Sequence, residues 1–232
     1  MDPVLEHKVV AVTGGLGALG QAVVRALRAA GARVAVLDRM DAPAGAADPD
    51  VLVQGGIDLA DGAQADAALE RAAAELGGLD ALVNIAGTFR WETLEQGSAE
   101  TWDFLYRVNV RTAVSASKAA LPHLKTRGGG RIVNIGAGAA AKAGAGMGPY
   151  AASKSAVARL TESLAEELKD QGVNVNAVLP SIIDTAQNRA DMPKADFSRW
   201  VAPEALADVI VFLLSPAARA VTGALIPVSG RV

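Results

Sequence analysis

Residues 8–20 read KVVAVTGGLGALG, Lys8 to Gly20. Behind Lys8 lies a continuous apolar run ending in Thr13. Such a run suits a strand covered on both faces, as in a parallel sheet. The chain then passes through Gly14, Leu16, Gly17, Ala18, Leu19 and Gly20 into a helical pattern over Leu19 to Ala30. A strand that turns through glycines straight into a helix opens a β-α-β unit. Glycines there permit a tight turn and let the backbone approach a pyrophosphate. The helix start supplies unpaired N–H groups and a partial positive charge. This stretch therefore predicts a parallel α/β sheet with a phosphate site at its carboxyl edge.

The rest of the chain keeps the alternation. Further strands are expected at Arg33–Leu37, Val51–Gln54, Ala81–Asn84, Arg131–Ile135, Val173–Leu179 and Leu225–Val228. Helices are expected at Asp61–Leu76, Ala99–Lys125, Tyr150–Gln171 and Pro203–Leu214, with Gly31 and Gly172 at stop positions and Pro203 in a first turn. Alternating β and α with right-handed crossovers gives a doubly wound parallel sheet of about seven strands with helices on both faces. No linker, repeat or composition shift divides it, so residues 1–232 are read as one domain. In such a sheet ligands bind in the loops at the carboxyl ends of the strands, and every unusual motif falls in one of those loops.

Composition narrows the function. Apolar residues make up 51% of the 232, but aromatics only 4%, so the core must be built from Ala, Val, Leu and Ile. A net charge of −3 without a basic stripe argues against nucleic acid and an anionic membrane as partners. With no cysteine there is no thiolate nucleophile, and two distant histidines, His7 and His123, make a metal site unexpected. The acidic lead Met1–Glu6 lacks the basic start of a signal peptide, and no membrane span is evident, so a cytoplasmic protein is expected.

Three further constellations carry chemistry. Asp38 ends the second strand eighteen residues after Gly20, where an acid grips the adenosine ribose of a dinucleotide. It disfavours a 2′-phosphate, whereas Arg39 beside it would welcome one; the expected preference is NAD(H) over NADP(H). Asp58 and Leu59, after the third strand, are placed to hold an adenine edge or to cap a helix. Tyr150 and Lys154 lie four apart in Tyr-Ala-Ala-Ser-Lys, on one helix face. An ammonium there would favour the phenolate of a group whose ordinary pKa is about 10, which suits proton exchange with a substrate oxygen.

Taken in order, these motifs resemble the short-chain dehydrogenase/reductase family over about 220 residues. Asn84-Ile85-Ala86-Gly87 is close to the family's Asn-Asn-Ala-Gly, and Asn109 in Val-Asn-Val matches its helix asparagine. Pro180 through Thr185, with Ile183, resembles its nicotinamide loop, and Val221-Thr222-Gly223 also fits. The resemblance implies a Rossmann-type fold and hydride transfer between nicotinamide and a small carbonyl or alcohol. It implies Tyr150 as acid/base, Lys154 lowering its pKa and binding ribose, and Asn109 holding a water. It further implies a homodimer or homotetramer built on the Tyr150 helix and the long helix before it. The substrate would be covered by residues 186–202, a short segment containing Met192, Phe197 and Trp200, with Trp91 and Met147 facing the same cavity.

One departure is serious. Thirteen residues before Tyr150, where the family usually places a serine, stands Ala137, and no other hydroxyl lies between Ile135 and Tyr150. Loss of one such donor costs about 2.7–4 kcal/mol of transition-state stabilisation. Three readings follow: a substrate needing less help, as in dihydropteridine reductase, whose glycine loop Gly14–Gly20 also echoes; a water in the vacated space; or a non-catalytic dinucleotide-binding protein. Ala18 and Ser181 replace glycines usual in the family, and Ser181 is a candidate stand-in for the missing hydroxyl.

Overall fold

A computed structural model describes residues 4–43 and 48–232; the start of the acidic lead, residues 1–3, lies outside them. Seven strands form one sheet: β1 (Val9–Thr13), β2 (Arg33–Leu37), β3 (Val51–Gln54), β4 (Ala81–Asn84), β5 (Gly130–Ile135), β6 (Val173–Pro180) and β7 (Leu225–Val228). Their order is β3-β2-β1-β4-β5-β6-β7 and every pairing is parallel. The chain winds outward from β1 to β3, then returns to lay β4 on the other side of β1. That reversal opens a crevice beyond Thr13 and Asn84, the paired ends of β1 and β4.

All residues of β1 and β4 are buried, because alternate side chains enter two separate cores. Val10, Val12, Val34 and Val83 meet Val23 and Leu27 of α1 (Ala18–Ala29) and Leu206 and Ile210 of α7 (Pro203–Leu214). On the other face Val9, Ala11, Ala35 and Leu82 meet Leu69 of α2 (Gly62–Leu76) and Leu124 of α4 (Thr112–Thr126). Leu168 of α5 (Gly148–Leu168) completes that layer. No described helix is long and apolar enough to cross a membrane.

Two elements differ from expectation. The helix expected over residues 99–125 is α3 (Ala99–Tyr106) and α4 joined by a π-helical segment, Arg107–Arg111, with Asn109 at its centre. Wider turns of this kind are frequent at functional sites. The 186–202 segment contains a short helix, α6 (Ala186–Asp191), capped by Thr185, whose Oγ1 accepts from Asn188 N–H, and a 3₁₀ turn, Phe197–Arg199.

Candidate functional site

A cleft of about 1230 Å³ lies on the carboxyl edge of the sheet. The glycine loop floors one end of it. Gly14 has φ +66°, and a Cβ there would fall 2.9 Å from the backbone of Ala86, so only glycine lets the loops after β1 and β4 touch. Thr13 fastens them: its buried Oγ1 accepts from the N–H groups of Ile85 and Ala86 at 3.0 and 3.1 Å. The first backbone bond of α1 runs from Gln21 N–H to Gly17 O, and Gly17 offers no side-chain cap. The N–H groups of Ala18, Leu19 and Gly20 therefore point from the helix end into the cleft their residues line. That donor set fits a pyrophosphate.

Asp38 is buried at the same end. Its carboxylate accepts from Leu16 N–H at 2.9 Å and Met40 N–H at 3.0 Å, so it also fixes the glycine loop. Leu16 contributes through that N–H and does not itself line the cleft. Arg39 lines it, as do Asp58 and Leu59. Asp58 accepts from Arg107 at 2.6 Å and from Ala60 N–H. Burial raises its pKa, but those donors and the charge of Arg107 outweigh this and hold it below the ordinary carboxylate range.

Farther along the cleft lie Ala86, Gly87, Tyr150, Lys154, Pro180, Ile183, Thr185, Trp91 and Met147. Lys154 is buried and donates to Ile135 O at 2.8 Å. Burial pushes its pKa down to about 8 and pushes that of Tyr150 up to about 12. The lowering of the Tyr150 phenol expected from Lys154 is not found; desolvation sets the direction. Tyr150 is held protonated at neutral pH.

Asn109 lies behind the cleft wall, 1% exposed. Its Oδ1 accepts from Thr88 N–H at 2.7 Å, and its Nδ2 donates to Thr88 O and to Ser153 Oγ. Both amide hydrogens are committed to protein, so the side chain braces the loop after β4 and has none to offer a water. Ser153 in turn donates to Tyr150 O. Gly87 closes this corner: a Cβ there would lie 2.8 Å from Asn109 Oδ1 and 3.4 Å from Lys154 Nζ.

Three expected positions make other contacts than those anticipated. Asn84 is beneath the cleft, its Nδ2 donating to Ser117 Oγ and Asn134 Oδ1, while its buried Oδ1 has no partner among the described residues. Trp200 is buried against Phe197, with ring centroids 4.7 Å apart, and neither residue lines the cleft. Ser181 lines it, but its hydroxyl is donated to Ser229 O at 2.7 Å. Ala137 is buried next to Gly136 in the cleft wall. Thr13, Thr88, Ser153, Arg107 and Phe89 also shape the site. Of these, only Ser153 carries a signal in the sequence, lying between Tyr150 and Lys154 on the same helix.

Fold and cleft together define a doubly wound dinucleotide-binding oxidoreductase. The short chain dehydrogenase family model matches residues 8–196, and the chain belongs to that family. It is 33% identical to 2-(S)-hydroxypropyl-CoM dehydrogenase 3 of Xanthobacter autotrophicus, over 97% of this chain and 96% of the relative. It is 36% identical to the inactive 2-(S)-hydroxypropyl-CoM dehydrogenase 2 of the same organism, over 89% and 97%. A solved structure of 3-ketoacyl-(acyl-carrier-protein) reductase from Brucella melitensis complexed with NADH superposes with TM-score 0.87 at 29% identity, covering 97% of this chain and 98% of that one.

Proposed function

We propose that this chain interconverts a small carbonyl compound and its alcohol, with NAD(H) preferred and Tyr150 as acid/base. The observation that carries the reading is that Tyr150 and Lys154 share one cleft with the open end of α1. The dinucleotide, when bound, supplies or accepts the hydride. The N–H groups at the start of α1 would hold its pyrophosphate, Asp38 its ribose hydroxyls, and Asp58 with Leu59 its adenine. Pro180, Ile183 and Thr185 would flank the nicotinamide. In reduction the Tyr150 hydroxyl donates its proton to the carbonyl oxygen; in oxidation the phenolate takes it back. The raised pKa of Tyr150 supports the donor role at neutral pH. Lys154 contributes positive charge below pH of about 8.

We further read residues 1–232 as one cytoplasmic domain that assembles as a homodimer or homotetramer. Trp102, Tyr106 and Val114 along α3 and α4 are 41%, 53% and 40% exposed, which supports a covered helix face in an assembly. A second reading, a non-catalytic dinucleotide-binding protein, is favoured by the buried methyl of Ala137 where a hydroxyl donor is expected.

The test begins with fluorescence titration by NADH and NADPH. Nicotinamide absorbance is then followed with a panel of carbonyls and a quinonoid dihydropterin. Substrate-dependent oxidation that Tyr150→Phe abolishes, with NADH affinity kept within about threefold, supports the enzyme. Tight binding without turnover across the panel selects the second reading, and turnover surviving in Tyr150→Phe overturns the acid/base assignment.

A further inference from the structure

The two ends of the cleft differ in charge and shape. Its cations, among the described lining residues, are Arg39, Arg107 and Lys154. Arg39 and Arg107 flank the Asp38–Asp58 end, where Arg107 is paired with Asp58, while Lys154 donates to Ile135 O. The opposite end is walled by Phe89, Trp91, Met147, Ile182 and Met192. Its charged side chain is Asp191, which accepts from the uncharged Gln187 amide at 2.9 Å. Two arginines in the neighbouring segments are engaged elsewhere. Arg189 forms a two-bonded ion pair with Asp184 and lies over Phe197, and Arg90 lies over Phe104 at 4.0 Å.

The aromatic wall is built and held in place. The Phe89 ring meets Tyr150 edge to face, centroids 4.9 Å apart at 87°. Trp91 donates its indole N–H to Ala145 O at 2.9 Å and rests against Gly146, while Glu92 N–H binds Gly146 O. Yet Phe89 and Trp91 remain 49% and 60% exposed. In a chain with few aromatics, one large ring is thus fixed beside the Tyr150 phenol and a second against the Gly146 turn of the same cleft, both with much of their surface open to solvent. A second flat ring would cover that surface, and rings stack edge to face or offset at such separations. Among the described residues lining this wall, an anionic substituent would meet one carboxylate and no cation.

We propose that the substrate half of the cleft selects uncharged carbonyl compounds bearing a flat aromatic ring on the carbonyl carbon, and the matching alcohols. It discriminates against those carrying a carboxylate, sulfonate or phosphate. This rests on the oxidoreductase reading above and names its substrate class.

The experiment follows NADH oxidation with benzaldehyde, 4-carboxybenzaldehyde and cyclohexanecarbaldehyde. The carboxylate leaves the aldehyde at least as electrophilic, and the saturated ring removes conjugation that slows addition. Intrinsic reactivity therefore favours both controls. Expected kcat/KM is highest for benzaldehyde, by about tenfold over the carboxylate and about threefold or more over the saturated ring. Phe89→Ala should erase the second preference. Asp191→Asn should narrow the first by about two- to fivefold, as befits an exposed charge. NADH affinity should be unchanged in both variants. Equal or faster turnover of either control, or a ring preference that survives Phe89→Ala, overturns the inference. So does the absence of turnover with all three aldehydes while NADH still binds, an outcome that leaves the oxidoreductase reading to the wider panel. Failure to bind NADH at all would remove both.

Discussion

Replacing Lys154 with Met should make the protein more stable at pH 7 while impairing its site. Folding takes this ammonium out of water and lowers its pKa from 10.5 to about 8. At about 1.4 kcal/mol per unit, the charged form is penalised by about 3 kcal/mol at neutral pH. Methionine has a similar shape and no charge. It forfeits the bond from Lys154 Nζ to Ile135 O, and an unpaired carbonyl costs about 1–2 kcal/mol. The variant should therefore gain about 1–2 kcal/mol at pH 7. The sign with pH follows from the lowered value: between pH 8 and 10.5 the unfolded chain binds the proton more tightly, so wild-type stability rises with pH there. Tyr150, raised to about 12, acts oppositely, but only above pH 10. Urea unfolding from pH 7 to about 9.5 should show the variant's advantage disappearing, by about 2 kcal/mol. A variant less stable than wild type at pH 7, or a gap that does not change with pH, would refute the claim that burial governs this lysine.

Other perturbations report on other parts of the site. Ala137 has the extended backbone angles φ −160° and ψ 152°, which serine adopts freely; Ala137→Ser should raise kcat/KM about 100-fold if a donor is missing there. An unchanged rate in steady-state assays would show that it is not. Gly87→Ala would place a methyl 2.8 Å from Asn109 Oδ1 and 3.4 Å from Lys154 Nζ. Thermal unfolding should register about 1–3 kcal/mol of destabilisation together with a loss of turnover. At the opposite edge of the sheet Asp80 accepts from Val9 N–H, Arg127 and Lys8. Burial raises its pKa, but these donors hold it below its ordinary value. Its stabilisation is present above the unfolded pKa and lost as pH falls through the folded one. Asp80→Asn should thus cost about 1–3 kcal/mol at pH 7 and progressively less as pH falls through the acidic range, as read by denaturant titration.

The sheet was legible because buried parallel strands announce themselves as unbroken apolar runs. All seven strands fall within a residue or two of where the pattern puts them. The phosphate end of the cleft was legible for a local reason as well, since the glycine turn and the helix start adjoin in sequence. What stayed hidden depends on distant partners. Thr13 acts on backbone 72 and 73 residues away, and Asn109 on a serine 44 residues away, separations that no spacing rule encodes. An apolar residue in a covering segment, such as Trp200, suits a ligand wall and a packing contact equally in sequence; its contact with Phe197 makes it packing. The α6 helix escaped notice because Ala186–Asp191 is short and polar, and it is fixed by the Thr185 cap rather than by apolar periodicity. The raised pKa of Tyr150 comes from desolvation, which a sequence does not display.

The wide turn at Arg107–Arg111 stores the position of Asn109 as a count of residues. An ordinary α-helix advances about 100° per residue. Deleting one residue from this wide turn would close it into regular helix, leaving α3 and α4 in place while the residues between them shift by one position. Thr88 and Ser153 would then face a different side chain, although every contacting residue remained in the gene. The vulnerability here is to a change of length. A homologue could substitute freely along the outer face of this helix and keep the brace, whereas a single in-frame codon loss would abolish it at one stroke.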